Sequence, residues 1–355
     1  MIAVGLIGCG DVAEHGHVPA LLRHPKFRLA AVCDLIPERA HLLSMRANDA
    51  PLHSDWRVML KSHPLDAVVV ALPPELSPEV VSACLQQGLA VLDEKPLAAT
   101  LAQGRALARL VVERKSIYQS GFVLRYGDWV REITRLAGTI GSPLTTKVEV
   151  YDELWDPNNS AHFNRIQGFL KNCSALTHEG SHVIDYTGLW ISSPWKRVTA
   201  FAQQTFPTFA GPNIWNAQVD FDDLSTLSVK IGWLLPELPP STIEVKGSAG
   251  RIFFNCRTGF GEYEVETERR ALSLAPLAAE WDRQYDAFAA AIESGTVDCA
   301  RVQDGLVALE VTTACELSAR SGAAITKLEF QSQFGPCEII PHPEAPTSVD
   351  RMLTA

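Results

Sequence analysis

The chain has 355 residues, 46% hydrophobic and 20% charged, a length and composition that suit two globular domains and exclude a disordered or collagen-like chain. Asp and Glu total 41 against 31 for Lys and Arg, a formal net charge of −10. With no run of basic residues to offset it, this balance excludes nucleic acid as an expected partner.

Residues 2–8 (IAVGLIG) form a short apolar run ending in glycine, the pattern of a strand buried on both faces. A helix-like segment follows over 12–23. Residues 28–34 (RLAAVCD) predict a second strand closed by an acid, and Pro37 opens a helix at its favoured first position. Residues 66–71 (DAVVVA) read as a third strand, halted by Pro73 and Pro74. A helix is expected from Ser77 to Gln87, stopped by Gly88. A strand over 89–93, a helix over 101–114 and a short strand over 117–122 complete an alternation that implies a parallel, doubly wound α/β sheet.

Beyond this the rhythm changes. Residues 144–151 (LTTKVEVY) alternate polar and apolar, as a half-exposed strand does, and the pattern recurs over 197–205, 215–221, 224–233, 241–246 and 250–255. Helices are expected over 181–191, 277–293 and 301–320. Trp281, Tyr285 and Phe288 form a core stripe on the second of these. The expected organisation is an α/β domain over 1–121, an α+β domain with an open-faced, mostly antiparallel sheet over 122–330, and a surface-wrapping tail over 331–355.

The first strand runs into Gly8-Cys9-Gly10-Asp11-Val12-Ala13, a G-x-G-x-x-A turn. The first glycine makes the tight turn, the second lets a pyrophosphate approach the backbone, and the small third residue packs helix on strand. The helix start then offers free N–H groups to phosphate. Asp34 ends the second strand near the spacing at which an acid receives the ribose hydroxyls. The pattern predicts a Rossmann nucleotide site. An acid at position 34 repels a 2′-phosphate, so NAD is expected rather than NADP, although Arg39 stands nearby. His15 and His17, on the first helix, are expected as ordinary solvated or packed side chains.

No apolar stretch approaches the roughly 18 residues of a membrane span. Met1 to Leu6 has no basic flank and reads as a first strand, not a signal peptide. Eight scattered cysteines without a CxxC pair predict reduced thiols in a cytoplasmic protein.

Asp93-Glu94-Lys95-Pro96-Leu97-Ala98 directly follows the strand over 89–93, at the carboxyl end where such sheets bind ligands. An ammonium there can donate to a substrate hydroxyl and stabilise charge on oxygen. The turn at Gly8, Asp34, the Leu72-Pro73-Pro74 turn, Glu94-Lys95-Pro96 and Gly180-Ser181-His182-Val183-Ile184-Asp185 occur in one order and spacing. Together they resemble the glucose–fructose oxidoreductase/inositol dehydrogenase family of nicotinamide-dependent sugar and polyol oxidoreductases, over nearly the whole chain to about residue 330.

The resemblance implies hydride transfer between a sugar, polyol or sugar-derivative hydroxyl and the nicotinamide. Lys95 matches the lysine that polarises the hydroxyl, and His182 the histidine that serves as acid/base, with Asp185 one turn further on. Gly8, Gly10, Asp11, Val12, Asp34, Leu72, Pro73, Glu94 and Lys95 would surround the cofactor. Gly121, Phe122 and Arg125 resemble a G-F-x-x-R segment that brings Arg125 to the substrate. Residues 151–165, read as a polar loop, offer Trp155 to stack on a sugar face and Asn158, His162, Asn164 and Arg165 to bond hydroxyls. The resemblance also implies a homodimer or homotetramer through the second sheet.

The sequence departs from the family pattern in three places. His178 stands where an aspartate is usual, which alters the charge beside the substrate. Ser77 replaces a histidine after the Pro-Pro turn, and Asn172-Cys173-Ser174 replaces a glycine triplet. A non-catalytic nucleotide- and sugar-binding regulator, and glycoside cleavage through a 3-keto intermediate on bound NAD, are the alternative readings. His178-Glu179-Gly180-Ser181-His182 also spells the zinc-protease string H-E-x-x-H. Because Gly180 and Ser181 are poor helix-interior residues, the helix is expected to begin near Ser181, which would break the i,i+4 geometry; no metal site is expected.

Overall fold

The computed structural model describes residues 1–266, 268–274, 279–298 and 300–336. These group by contact into two compact units, one of Met1–Tyr126 with Ala279–Leu306, the other of residues 127–274 and 307–336. The division is therefore discontinuous, where the sequence pattern offered a linear one at 121–122. Periodicity shows that a segment is an amphipathic helix; it does not say which sheet the helix covers.

In the first unit β1 (Ile2–Ile7), β2 (Phe27–Cys33), β3 (Leu52–His53), β4 (Ala67–Val70), β5 (Ala90–Asp93) and β6 (Tyr118–Ser120) lie in the order β3-β2-β1-β4-β5-β6, every pairing parallel. All four residues of β4, Ala-Val-Val-Val, are buried, as a strand covered on both faces requires. A π-helical turn, Ala13–His17, runs into α1 (Val18–Arg23); α2 (Pro37–Arg46), α3 (Trp56–Ser62), α4 (Ser77–Gln86) and α5 (Leu101–Arg114) follow. Thr100 caps α5 by accepting the N–H of Gln103. Gly88, at φ +80°, follows α4 in the left-handed conformation that ends helices. Tyr285 and Phe288, from the returning helix Glu280–Ser294, join Leu6, Leu21, Val69 and Leu92 in one core.

The second unit carries α6 (Asp128–Ala137), α7 (Ser160–Asn172) and α8 (Ala175–Thr187). Its strands are β7 (Thr145–Asp152), β8 (Trp195–Gln203), β9 (Ile214–Phe221), β10 (Thr226–Trp233), β11 (Thr242–Lys246), β12 (Gly250–Asn255), β13 (Phe260–Val265), β14 (Glu268–Ser273) and β15 (Ile325–Thr326). Among the described residues they form one nine-stranded sheet in the order β14-β13-β12-β11-β7-β10-β9-β8-β15. Its pairings are antiparallel except β7 with β10. Alternate residues such as Val148, Val229 and Val245 are buried, while Lys147, Lys246, Arg251 and Phe253 stand exposed on the other face. The expected open-faced sheet is thus present. With Glu280–Ser294 as α9, α10 (Val302–Ser321) and α11 (Lys327–Phe334) complete the helices. The expected tail from 331 begins inside α11, and residues 337–355 lie outside the described residues.

Candidate active site

Gly8 adopts φ +94°, and a Cβ there would fall 2.2 Å from the carbonyl oxygen of Ala71 at the end of β4. Only glycine makes this turn so close to the neighbouring strand. A Cβ on Gly10 would meet nothing within 4 Å, so open space lies over the second glycine, where a ligand's pyrophosphate is expected. The Asp34 carboxylate accepts the N–H of Cys9 at 2.7 Å through one oxygen and that of Ile36 at 2.8 Å through the other. Each oxygen retains capacity for a second donor, such as a ribose hydroxyl. Beside it opens a cleft of about 380 Å³ lined by residues that include Asp34, Pro37, Leu52, His53 and Asp55. Asp11 and Val12 are exposed at the helix start, Leu72 is half-buried and Pro73 exposed on the turn after β4. A dinucleotide fits this set: a glycine turn with free space above it, an acid braced for ribose, and an adjoining cleft.

On the same sheet, β5 delivers Asp93, Glu94 and Lys95. Asp93 is buried and its carboxyl receives the hydroxyls of Ser77 and, at 2.8 Å, Tyr118. Burial pushes its pKa up to about 7, although both hydroxyls pull the other way. Ser77, where the family pattern has histidine, is thus buried against the strand end. Glu94 lies against Gly121, where a Cβ would come 2.7 Å from its Oε1. That oxygen meets His17 Nε2 at 3.0 Å, and Oε2 accepts the N–H of Lys95 at 3.2 Å. The Lys95 side chain is half-buried, and the Lys95–Pro96 peptide is cis. Arg125 is buried on a 3₁₀ turn and paired with Asp304 at 3.3 Å. Of the first-helix histidines, His15 is exposed with Nδ1 3.0 Å from the Asp11 carbonyl, whereas His17 is fully buried in the Glu94 network.

The second unit holds the other predicted residues. Helix α8 begins at Ala175, six residues before the expected start, with Ser174 capping it through the N–H of Thr177. Ser174 and Thr177 both donate to Glu316 Oε1, at 2.5 and 2.7 Å, which anchors this end of the helix. Gly180 is a packing residue here: a Cβ would come 3.0 Å from Leu176 Cδ1 and 3.3 Å from Ile231 Cδ1 of β10. Burial against the sheet outweighs the roughly 1 kcal/mol propensity cost of a helical glycine. His178 and His182 therefore do stand one helical turn apart, contrary to the expected helix start near Ser181. Among the described residues no three His, Cys, Asp or Glu side chains gather to hold a metal ion.

His182 and Asp185 are buried on α8. His178 is half-buried between aromatic rings, 5.1 Å from Phe169 and 5.2 Å from Trp233 by ring centroids. The predicted loop over 151–165 is in part helix. Asn159 caps α7 by accepting the N–H of His162, so His162 and Asn164 are helical residues. His162 meets Glu153 at 3.4 Å and Arg165 at 3.2 Å; Asn164 is exposed; Trp155 is half-buried, 5.0 Å from Phe206.

Residues 2–122 match the oxidoreductase family described by its NAD-binding Rossmann fold, and residues 135–327 match the C-terminal alpha/beta domain of the same family. The chain belongs to the Gfo/Idh/MocA oxidoreductase family. As a member it is an enzyme, a dehydrogenase acting on CH–OH groups. Inositol 2-dehydrogenase 1 of Saccharopolyspora erythraea is 28% identical to it over 342 residues, 88% of this chain and 97% of that protein. An oxidoreductase from Agrobacterium radiobacter, solved with NAD+, L-tartaric acid and magnesium, shares the fold at a TM-score of 0.81 and 17% identity, covering 94% of this chain and 99% of that one. A 3-ketoreductase from Actinomadura kijaniata, solved with TDP-benzene and NADP, does so at 0.75 and 22%, covering 91% and 98%. The described Gfo/Idh/MocA chain contains no helix long and apolar enough to cross a membrane, and Cys9, Cys33, Cys84, Cys173, Cys256 and Cys315 are free thiols.

Proposed function

We propose that the chain transfers hydride between a hydroxyl-bearing carbon of a sugar, polyol or sugar derivative and NAD. The observation that carries the cofactor choice is Asp34, whose carboxylate is braced by two backbone N–H groups at the edge of the cleft that Asp55 also lines. Two carboxylates there favour ribose hydroxyls and oppose a 2′-phosphate. When bound, the nicotinamide supplies the hydride acceptor or donor. Gly8, Gly10, Asp11, Val12, Leu72, Pro73 and Glu94 are the further residues assigned to holding the cofactor.

Lys95 leaves the carboxyl end of β5, where its ammonium donates to the substrate oxygen and stabilises the charge that grows on it. His182 takes the hydroxyl proton in oxidation and returns it in reduction, with Asp185 orienting the same helix turn. His178, flanked by Phe169 and Trp233, presents an imidazole where the family pattern has a carboxylate. Arg125, Trp155, His162 and Asn164 are assigned to sugar contacts, Trp155 through its ring face. Reduced thiols support a cytoplasmic location. Phe201 and Phe253, exposed on the uncovered sheet face, support assembly into a homodimer or homotetramer through that sheet.

The test mixes the protein with NAD or NADP and a panel of polyols, aldoses and glycosides while absorbance of the reduced cofactor is followed. NAD-dependent turnover on at least one panel member, abolished in Lys95→Ala, is the expected result. Full turnover by Lys95→Ala, or a preference for NADP, would overturn the corresponding part.

A further inference from the structure

Behind Lys95 lies a chain of buried polar contacts that neither sheet nor core requires. Tyr285 OH is 2.8 Å from His17 Nδ1, and His17 Nε2 is 3.0 Å from Glu94 Oε1. Both Tyr285 and His17 are fully buried. A carboxylate only accepts, so a proton must sit on Nε2 facing Glu94; in the neutral imidazole Nδ1 is then an acceptor, and the phenol donates to it. Burial and the nearby Glu94 charge raise the Tyr285 pKa well above its ordinary value, which keeps that hydroxyl a donor. The imidazole ring has little room to turn. Trp281 packs edge-on against it at 4.9 Å and Tyr285 at 6.0 Å. Trp281 also fills the place of a Gly16 side chain, whose Cβ would come 2.3 Å from the indole. His17 itself lies in the π-helical turn, a widened turn often found at functional sites.

We propose that His17 and Tyr285 are a positioning pair: Tyr285 anchors the His17 ring through Nδ1, and His17 fixes the Glu94 carboxylate whose other oxygen holds the backbone N–H of Lys95. The pair acts on Lys95 through Glu94 and touches no reacting atom. Removing the Tyr285 hydroxyl leaves Nδ1 without its donor, so the ring is held by hydrogen bonding at Nε2 alone. The imidazole then fixes the Glu94 Oε1 less firmly, and the Lys95 turn that Oε2 holds is placed less firmly with it. This inference rests on the assignment of Lys95 to the substrate hydroxyl.

Tyr285→Phe removes one oxygen and leaves the core volume almost intact. The expected result is a fall in kcat of about tenfold, with KM for NAD and the unfolding temperature close to wild type. Long-range ¹H–¹⁵N NMR of the histidine rings, which needs no turnover, is expected to place the His17 proton on Nε2 in wild type and to show a shifted Nδ1 resonance in Tyr285→Phe, where Nδ1 has lost its donor. His17→Gln retains an amide donor toward Glu94 and is expected to keep more activity than His17→Phe. A proton on Nδ1 in wild type, or a Tyr285→Phe variant with wild-type kcat, overturns the pair. So does a loss of kcat matched by equal losses in cofactor affinity and unfolding temperature. If Lys95→Ala is inactive and Tyr285→Phe is unaffected, only the positioning pair falls; if Lys95→Ala turns over normally, the role of Lys95 falls and the pair with it.

Discussion

Asp93 gives a pH dependence of stability that can be worked out from its surroundings. Its carboxyl is buried at the end of β5, and burial lifts it from 3.8 to about 7 against the pull of the Ser77 and Tyr118 hydroxyls. Below pH 3.8 the group is protonated whether the chain is folded or not, and its stabilising contribution is complete. Between 3.8 and about 7 the unfolded chain has released a proton that the fold retains, so each rise in pH favours unfolding. Above about 7 both states are ionised and the contribution is gone. One proton is worth about 1.4 kcal/mol per pH unit, so the whole window spans about 4 kcal/mol. Between about pH 5.5 and about pH 8 the loss is about 2 kcal/mol. Asp93→Asn is the matching perturbation, since the amide keeps shape and can accept one hydroxyl and donate to the other. Whatever constant offset that exchange carries, it removes the titration. Urea unfolding of both proteins at a series of pH values reads the difference. The wild type is expected to lose about 2 kcal/mol relative to Asp93→Asn between about pH 5.5 and about pH 8. Parallel curves would refute the reasoning, because they would mean that Asp93 is ionised in the fold throughout.

Two further substitutions probe the cofactor and Lys95 ends of the first unit. Asp34→Ser removes both the proposed ribose acceptor and the brace on the Cys9 and Ile36 N–H groups. NAD affinity is expected to fall about tenfold or more and the preference for NAD over NADP to shrink, measured by fluorescence titration of the reduced cofactors; an unchanged ratio would show that Asp34 does not read the ribose. Gly121→Ala sets a Cβ 2.7 Å from Glu94 Oε1 and 2.9 Å from its Cα, so backbone as well as side chain must move. A stability loss of about 1–3 kcal/mol and a lower kcat are expected, and a variant with wild-type melting and turnover would show that Glu94 has another place to go.

Where the sequence was legible, the controlling physics was local. Ala-Val-Val-Val of β4 reads as a strand buried on both faces, and the helix expected over 101–114 is α5 (Leu101–Arg114). The turn at Gly8 and the acid at Asp34 stand on consecutive strands, so their spacing alone places them together, and Lys95 is legible because a strand ends just before it. Neighbours that the local string does not name decided the rest. Gly180 argued against a helix, but Ile231 of β10 packs against it closely enough that a Cβ would come 3.3 Å from its Cδ1. The start of α7 had a usable signal in Asn159, a favoured capping residue, but the polar composition of residues 151–165 outweighed it. Strand β3 has two residues, too few for any period to show. His17 marks the limit of such reading. Its partners lie 77 and 268 residues away, and nothing around a histidine on a nucleotide-site helix distinguishes a solvated ring from a buried link to the Lys95 turn. The stripe Trp281, Tyr285 and Phe288 was legible as core, yet the same periodicity cannot show that one of its members also presents a hydroxyl to an imidazole. Apolar patterning finds which side chains are buried; which of them are buried for their polar atoms follows only from the fold.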